Sequence, residues 1–437
     1  MLLIHVPKLT NRLGYTLNVL FKHVLHTEFG ITTDEEYYLS HGGAKLCYGP
    51  RRVGDGLFLK CCKLLFQTSI DEQRPQPFEK DGQWMLFPVY GHDIDLPFDP
   101  LAATFYMVTR YEEYLPHRED EHGRFVSSEQ LAVAAGFKDE PVVDQWAQML
   151  QQRLADRYPG DAWPTRRYRF VQTVDIDAAW CFLHKGVFRT VVGMLRDLVA
   201  RRDVDEVKRR IRVLSGREPD PFDTFDYILD KHRSNPGAKL IFFALTADYG
   251  QYDKPSSFQN KHTRELLQHL DDYASMGIHP GYQSAEEPHN VDIETRRLED
   301  ILHRTISKAR YHFLRLRMPT SYRILLHAGL TDDYTMGYAD TTGFRAGISS
   351  PYPFYDLERD NETKLIIHPF CVMDTTLKKH LALSPDEGVE RYRQLVESLR
   401  RVNGTFCCIV HNQNLCDSYG WEGWRDAYEQ MLELAKP

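Results

Sequence analysis

Residues 168–180 have the sequence YRFVQTVDIDAAW, in which an apolar segment runs directly into two carboxylates. The segment Tyr168–Val174 is predicted to be a buried strand. Because strand side chains alternate between two faces, Asp175 and Asp177 should point the same way if the extended geometry continues. Carboxylates at the carboxyl end of a buried strand lie where α/β enzymes carry their catalytic groups. The alternative interpretation is that one aspartate caps the following helix and the other faces solvent.

Strand and helix patterns alternate along the rest of the chain after this segment. Further strands are predicted at Lys239–Thr246, Gly277–His279, Tyr311–Arg317, Gly343–Arg345, Lys364–His368 and Thr405–Val410. Helices are predicted at Val187–Leu214, Asn260–Met276, Asp292–Ala309, Pro319–Ala328, Asp386–Val402 and Gly420–Ala435. Such alternation favours parallel strands joined by crossover helices, and about seven such units favour a distorted (β/α) barrel.

A smaller α/β domain is predicted to precede the barrel, because 437 residues exceed one ordinary core. Its predicted strands are residues 1–7, Ile31–Leu39, Ala44–Tyr48, Gly54–Phe66 and Trp84–Val89, and its predicted helices are Asn11–Phe29, Pro100–Tyr114 and Val142–Tyr158. The breaking residues Pro159, Gly160 and Pro164 place the boundary at residue 165, so the predicted domains are residues 1–165 and 166–437.

Composition narrows the class of protein and its partners. A net charge of -8 and a pI near 6.2 argue against a nucleic-acid partner, which requires clustered excess Lys and Arg. We expect no signal peptide at residues 1–7, and no window has the roughly 20 apolar residues of a membrane span. The eight cysteines show no CxxC spacing, which favours buried free thiols in a reducing cytoplasm. The expectation is a soluble cytoplasmic protein whose oligomeric state is open.

Polar residues with catalytic or ligand chemistry follow several of the predicted strands. Besides Asp175 and Asp177, these residues are His279, Arg345, Asp374 and His411. One such histidine alone is more often structural than functional. Repeated endings of this kind in one half of the chain predict a site at the carboxyl edge of the sheet.

Four motifs in order resemble those of the NodB-like polysaccharide deacetylases over residues 166–437. They are TVDID at 173–177, HP at 279–280, GFRAG at 343–347 and VHN at 410–412. The sequence DDYTMGYAD at 332–340, which leads into GFRAG, is similar to a subgroup of this family. In that subgroup the deacetylase domain follows an N-terminal α/β domain of unassigned function, and residues 1–165 fit that partner.

The resemblance implies metal-assisted removal of an acetyl group from an N- or O-acetylated saccharide. Asp175 corresponds to the general base, and Arg345 to the residue that pairs with this base and lowers its pKa. His411 corresponds to the acid that protonates the leaving amine, and Asp374 could orient His411. The implied cofactor is a divalent metal, with zinc favoured, and the implied partner is a carbohydrate substrate.

The chain departs from the family pattern at the metal site. That site has one Asp and two His spaced four residues apart, but Gln283 stands four residues after His279, and glutamine is a poor zinc ligand. Ile176 also splits the usual pair of adjacent carboxylates, which makes Asp177 the metal-binding aspartate. The missing histidine could be replaced by His312 or His368.

Aromatic residues near these motifs could bind a sugar, and the candidates are Tyr282, Phe344 and Trp180. Two further function classes stay open. The first is a catalytically silent carbohydrate-binding protein that keeps the cleft without the metal. The second is a metal-free glycosidase that uses Asp175 with Asp177 or another carboxylate, since strand rise places the two aspartates roughly 7 Å apart.

Overall fold

The computed structural model describes residues 1–200 and 202–437, and it shows a mixed α/β protein with two sheets of mainly parallel strands and one short hairpin. The strands are β1 Leu2–His5, β2 Phe29–Thr32, β3 Lys45–Gly49, β4 Leu57–Lys60, β5 Phe78–Lys80, β6 Gln83–Met85, β7 Arg169–Ile176, β8 Ala238–Ala244, β9 Ser275–Ile278, β10 Lys308–Ala309, β11 Asp332–Asp333, β12 Tyr352–Asp356, β13 Asn361–Ile367, β14 Val372–Met373 and β15 Thr405–His411. The α-helices are α1 Asn11–Leu17, α2 Glu35–Ser40, α3 Pro100–Val108, α4 Leu131–Ala134, α5 Val142–Arg157, α6 Val187–Leu195, α7 Val204–Leu214, α8 Phe225–Arg233, α9 Lys261–Asp271, α10 Pro288–Leu302, α11 Thr320–His327, α12 Pro385–Arg401 and α13 Trp424–Ala435.

The larger sheet has nine strands in the order β12-β13-β11-β10-β9-β8-β7-β15-β14. All neighbouring strands are parallel except β12, which runs antiparallel to β13. The order has β12 and β14 at its two edges, and no pairing among the described residues joins them into a closed barrel. Three of the nine strands are only two residues long, namely the interior neighbours β10 and β11 and the edge strand β14.

The strand β7 carries the carboxylates and lies within the sheet, paired with β8 on one side and β15 on the other. Its register sets Asp175 opposite His411 of β15 and opposite Phe243 of β8. His279 directly follows β9, the strand that pairs with β8 on the side away from β7. Parallel pairing therefore brings to one edge polar residues that are more than 200 positions apart in the chain.

Several predicted elements differ from the observed ones. The predicted strand Ile31–Leu39 ends at Thr32 and is followed by α2, for which Asp34 provides an N-cap. Residues 343–345 form a loop, and the predicted strand Tyr311–Arg317 is replaced by a 3₁₀ turn at His312–Leu314 after the short β10. The predicted helix Val187–Leu214 is broken between α6 and α7, where Arg201 lies outside the described residues.

The N-terminal half packs against the loop that carries the GFRAG sequence. Arg345 donates two hydrogen bonds to the carboxylate of Glu113, at 3.1 and 2.9 Å, and both side chains are buried. Arg110 also bonds Glu113, at 2.8 Å, and donates to the backbone carbonyl of Arg345. Burial raises the pKa of Glu113, but the two guanidinium groups outweigh burial and hold it below its ordinary value.

Removal of Glu113 should therefore destabilise the protein strongly. Glu113→Ala leaves Arg345 buried without its carboxylate, which should lower the free energy of unfolding by about 3–5 kcal/mol. Urea denaturation followed by fluorescence measures this loss. The matched control is Glu119→Ala, which removes an exposed carboxylate 2.7 Å from Arg317 and should cost less than about 1 kcal/mol. Equal losses in the two variants would contradict the structural role of the buried pair.

Candidate metal centre

Three side chains at the carboxyl edge of the larger sheet form a possible metal-binding cluster. Asp177, His279 and His312 each offer one ligand atom, and these atoms all lie within 4.8 Å of one another. Asp177 Oδ1 is 3.5 Å from His279 Nε2 and 3.7 Å from His312 Nε2. Asp177 comes from the end of β7, His279 from the end of β9 and His312 from the turn after β10. The structure thus brings together the three residues that the sequence nominated as ligands.

Hydrogen bonds on the far side of each imidazole fix which nitrogen faces the cluster. His279 Nδ1 lies 2.5 Å from the backbone carbonyl of Arg310, an acceptor that requires the proton to be on Nδ1. His312 Nδ1 lies 2.7 Å from Asp253 Oδ1. Both Nε2 atoms therefore keep their lone pairs for a ligand. Carboxylate and carbonyl partners of this kind are the usual supports of metal-binding histidines.

The donor set fits a divalent metal. Asp177 Oδ1 is buried and has no hydrogen-bond partner among the described residues, which is costly for a carboxylate oxygen unless a cation binds it. Its second oxygen, Oδ2, accepts a hydrogen bond of 3.0 Å from Gln413. One carboxylate oxygen and two imidazole nitrogens are ligands that zinc accepts in open catalytic sites.

The charge state of Asp177 suits this role. Burial raises the pKa of this carboxyl group, but the His312, His279 and His411 imidazoles around it outweigh burial and hold it well below its ordinary range. The carboxylate is therefore ionised at physiological pH, as a metal ligand must be.

Asp175 lies beside the cluster and is held by Arg310 rather than by the predicted partner Arg345. Arg310 Nη1 donates to Asp175 Oδ1 at 2.7 Å, and its guanidinium carbon stands 4.4 Å from the ring centre of Phe243. Asp175 Oδ2 is 3.8 Å from His279 Nε2, so this oxygen faces the metal ligands. The predicted pairing of Arg345 with Asp175 is wrong, because Arg345 is engaged by Glu113 of the N-terminal half.

His411 and Asp374 form a second acid–base pair at the same edge. His411 Nδ1 lies 2.7 Å from Asp374 Oδ1, and the backbone N–H of His411 donates to Asp374 Oδ2 at 2.8 Å. This arrangement points His411 Nε2 toward the cluster, 3.9 Å from Asp177 Oδ2. Burial lowers the pKa of His411, but Asp374 and Asp177 outweigh burial and raise it to about 10. The imidazole is therefore protonated near neutral pH and can donate a proton.

A cavity of about 350 Å³ opens over these groups, and its size lies within the range of small-molecule sites. Asp175, Asp177, His279, His312 and His411 all line it. His122 and Arg124, which come from the N-terminal half, also form part of its wall. They are fixed by hydrogen bonds to the turn after β10: Arg124 donates to the Phe313 carbonyl at 2.9 Å, and the His122 carbonyl accepts from Arg315 at 2.8 Å.

The three aromatic residues predicted to bind a sugar are not among those that line the cavity. Phe344 and Trp180 are buried in the hydrophobic core, because the loops that carry them fold inward. Tyr282 lies next to the cavity wall, where its hydroxyl is 3.1 Å from His122 Nδ1 and its ring stacks on Tyr252. The aromatic residues that do line the cavity are Tyr311 and Phe313.

The sequence did not identify two supporting residues, Arg310 and Asp253. Arg310 falls between the predicted helix Asp292–Ala309 and the predicted strand Tyr311–Arg317, so neither pattern marked it. Asp253 lies in a loop between β8 and α9 without a strand to mark it. His368, the other candidate replacement ligand, pairs with Asp332 at 2.8 Å and stacks on Tyr334, away from the cavity.

A buried acid supports the segment that follows His279. Glu294 of α10 accepts hydrogen bonds from the backbone N–H of Gly281 at 2.9 Å and from the hydroxyl of Ser284 at 2.7 Å. A Cβ atom at Gly281 would lie 2.6 Å from the Cβ of Ala247, so only glycine fits this close approach. Burial raises the pKa of Glu294 to about 7.

Glu294 should therefore make stability depend on pH. A carboxyl group whose pKa rises from about 4.5 to about 7 on folding favours the folded state fully below pH 4.5, and this contribution is lost as the pH rises to about 7. Glu294→Gln is neutral throughout and should be more stable than the wild type at pH 8 by about 3 kcal/mol, with no difference of this kind at pH 4. Urea denaturation at both pH values, with a chelator present, measures the difference. An unchanged difference between pH 4 and pH 8 would contradict the raised pKa.

The fold and the cluster together define a mixed α/β protein with an Asp–His–His site at a strand-end edge. Residues 2–159 match the model of a family of unknown function, DUF7033. No curated protein matches the chain. Among residues 1–200 and 202–437, no helix combines the length and apolar character needed to cross a bilayer.

Solved structures that resemble the chain do so weakly. A "putative polysaccharide deacetylase" from Mycobacterium smegmatis is 14% identical with a TM-score of 0.38, covering 62% of this chain and 85% of its own. The 4-alpha-glucanotransferase from Thermococcus litoralis is 12% identical with a TM-score of 0.34, covering 62% of this chain and 37% of its own. The 7,8-dihydropteroate synthase from Vibrio fischeri ES114 is 8% identical with a TM-score of 0.29, and the match covers 63% of this chain and 94% of the synthase chain.

Proposed function

We propose that this protein is a metal-dependent deacetylase that hydrolyses an acetyl group from an N- or O-acetylated saccharide. The observation that carries the proposal is the cluster Asp177–His279–His312, with Asp175 and His411 each within 4 Å of one of its members. We further propose that the larger sheet is a distorted barrel of the NodB type and that residues 1–165 form a separate N-terminal domain. The match of a family model to residues 2–159 supports that boundary.

Asp177, His279 and His312 would hold the metal, and zinc suits their oxygen and nitrogen donors. A divalent ion supplies Lewis-acid polarisation of the acetyl carbonyl and lowers the pKa of a water molecule. Asp175 Oδ2 faces the same space and is free of hydrogen bonds to Arg310, so it can accept the proton of that water. Arg310 keeps Asp175 in place through the other oxygen.

His411 donates a proton to the departing nitrogen or oxygen of the sugar. Asp374 holds the Nδ1 side of the ring, so the proton on Nε2 is the one directed into the cavity. Asn414 donates to Asp374 Oδ2 at 2.9 Å and thereby fixes the carboxylate that orients the ring. Asp175 and His411 would thus serve as base and acid, with Asp175 Oδ2 3.8 Å from His279 Nε2 and His411 Nε2 3.9 Å from Asp177 Oδ2.

The N-terminal domain contributes to substrate selection in this proposal. His122 and Arg124 line the cavity, and the guanidinium group of Arg124 is held by the Asp120 carboxylate at 2.7 Å. Cations and imidazoles at a cavity mouth can donate hydrogen bonds to sugar hydroxyl or carboxylate groups. Residues of both domains would therefore determine which sugar binds in the cavity.

The metal assignment predicts a defined pattern of metal loss. Wild-type protein should bind one divalent ion per chain, measured by elemental analysis after dialysis against zinc. Asp177→Asn and His312→Ala should lose it, and Asp253→Asn should weaken zinc affinity by about 10–100-fold, because it supports His312 from behind. His368→Ala is the matched control, since that histidine pairs with Asp332 away from the cavity and should keep full occupancy. Zinc bound equally by the Asp177 variant would contradict the assignment.

The acid and base assignments predict how activity depends on the leaving group. His411→Ala should lower acetate release from an N-acetylated oligosaccharide by about two to four orders of magnitude. The same variant should lose much less with 4-nitrophenyl acetate, whose leaving group needs no proton. Asp175→Asn should lose activity on both substrates, and both variants should retain the metal. Equal losses on the two substrates for His411→Ala would exclude it as the acid.

The proposal as a whole fails if zinc-loaded wild-type protein releases no acetate from acetylated saccharides. If it still binds such saccharides, the protein is a carbohydrate-binding protein on this fold.

A further inference from the structure

The helix that follows the catalytic strand exposes a continuous apolar face. Along α6 and the helical turn after it, these exposed residues are Val187, Phe188, Val191, Val192, Leu195, Leu198 and Val199. Their spacing of three and four places them on one side of the helix. None of the nine residues of α6 is buried, and Phe188 is 80% exposed. We refer to this surface as the apolar helix face.

A contiguous apolar face of this size indicates a binding surface. Single exposed apolar residues are common on proteins, but contiguous patches mark sites of contact with a partner or a membrane. An amphipathic helix also gains most of its stability from packing of its apolar side. The apolar helix face is therefore expected to bind a partner molecule or a membrane surface.

The charge around the face identifies the chemistry of that occupant. Residues 185–202 contain five basic side chains, Lys185, Arg189, Arg196, Arg201 and Arg202, against the single acid Asp197. Asp197 is buried and bonded to Arg210 at 2.5 Å, so it adds no negative charge to the surface. The whole chain, by contrast, carries a net charge of -8. A basic border on an acidic protein indicates an anionic partner.

A cavity of about 840 Å³ adjoins the apolar helix face, since Phe188 and Val192 form part of its wall. The wall also carries the cations Lys185, Arg189, Arg196 and Lys254, together with the acid Glu206 and with Arg210, whose charge is paired with Asp197. Arg189 and Lys254 approach the same ring, that of Tyr249, at 4.3 and 4.4 Å. Phosphate groups that reach past the apolar face would meet these cations.

We propose that the apolar helix face docks on an anionic phospholipid surface, with α6 lying in the plane of the interface. Apolar side chains on one side and Lys and Arg at the borders are the features of helices that bind such surfaces. A second copy of this chain fits less well, because a twofold contact would bring the same basic residues of both copies together. The helix begins ten residues after Asp177, so docking would place the carboxyl edge of the sheet, and its cavity, near the membrane surface.

Vesicle flotation tests this proposal with the full chain. The protein should float with vesicles that contain phosphatidylglycerol and remain unbound with vesicles of phosphatidylcholine alone. Binding should weaken as salt is raised, because exposed charges are screened. Equal binding to both vesicle types, or no binding to either, would overturn the proposal.

Two variants locate the surface. Phe188→Ser combined with Leu195→Ser should lower the partition coefficient by about tenfold or more, and Arg189→Glu combined with Arg196→Glu should abolish the preference for the anionic lipid. The matched control is Tyr37→Ser with Leu39→Ser, which removes two exposed apolar side chains of α2, 54% and 51% exposed. Circular dichroism verifies that each variant is folded. Undiminished binding by both α6 variants would overturn the proposal.

Light scattering of the protein without lipid tests the other possible occupant of the face, a second copy of this chain. A monomer in wild type and variants supports the lipid surface. A dimer that the Phe188 and Leu195 substitutions dissociate would show that the face binds a second copy, and the proposal would be wrong.

Discussion

Arg310 is the residue through which the candidate site is held together. Its backbone carbonyl accepts a hydrogen bond from the Nδ1–H of His279, which leaves Nε2 facing the cluster, and its guanidinium group holds Asp175 at 2.7 Å. One residue thus fixes both the tautomer of a ligand and the position of the proposed base. It can do so because β10 is short and ends at Ala309, next to β9 in the sheet, so the chain turns there across the end of the cluster. A buried guanidinium beside aromatic rings has little freedom to move, which makes the arrangement rigid.

Much of the site could be predicted from the sequence because parallel strands end at a common edge. Asp175, Asp177, His279 and His411 each follow an apolar segment, and the register of the sheet brings them together. His312 was predicted as a possible ligand on the strand Tyr311–Arg317. It lies instead in a 3₁₀ turn, because β10 ends three residues earlier. Periodicity reports which segments are buried, and it does not report where a short strand stops. The same limit concealed Asp253, whose loop has no periodic pattern.

The motif GFRAG illustrates why a role cannot be transferred by sequence position alone. The resemblance predicted that Arg345 pairs with Asp175. In the structure Arg345 binds Glu113, and Asp175 binds Arg310. The sequence contained no local signal for this exchange, because Glu113 lies 232 positions away in the other half of the chain. A buried guanidinium takes whichever carboxylate the tertiary structure brings to it. A distorted barrel was expected from the number of units, and the strand order observed among the described residues gives parallel strands with two open edges.

The wall formed by His122 and Arg124 has a consequence for how such a chain can evolve. A gene fusion normally leaves two domains that can later be exchanged independently, since linkers carry few contacts. Here the first half contributes both cavity residues and the carboxylate that neutralises Arg345, so replacing it would alter the pocket and leave a charge unpaired at the same time. The two halves are therefore inherited as one unit. The shape of the cavity would change most easily by point substitutions in the loop at residues 117–125, which would leave Asp177, His279 and His312 in place.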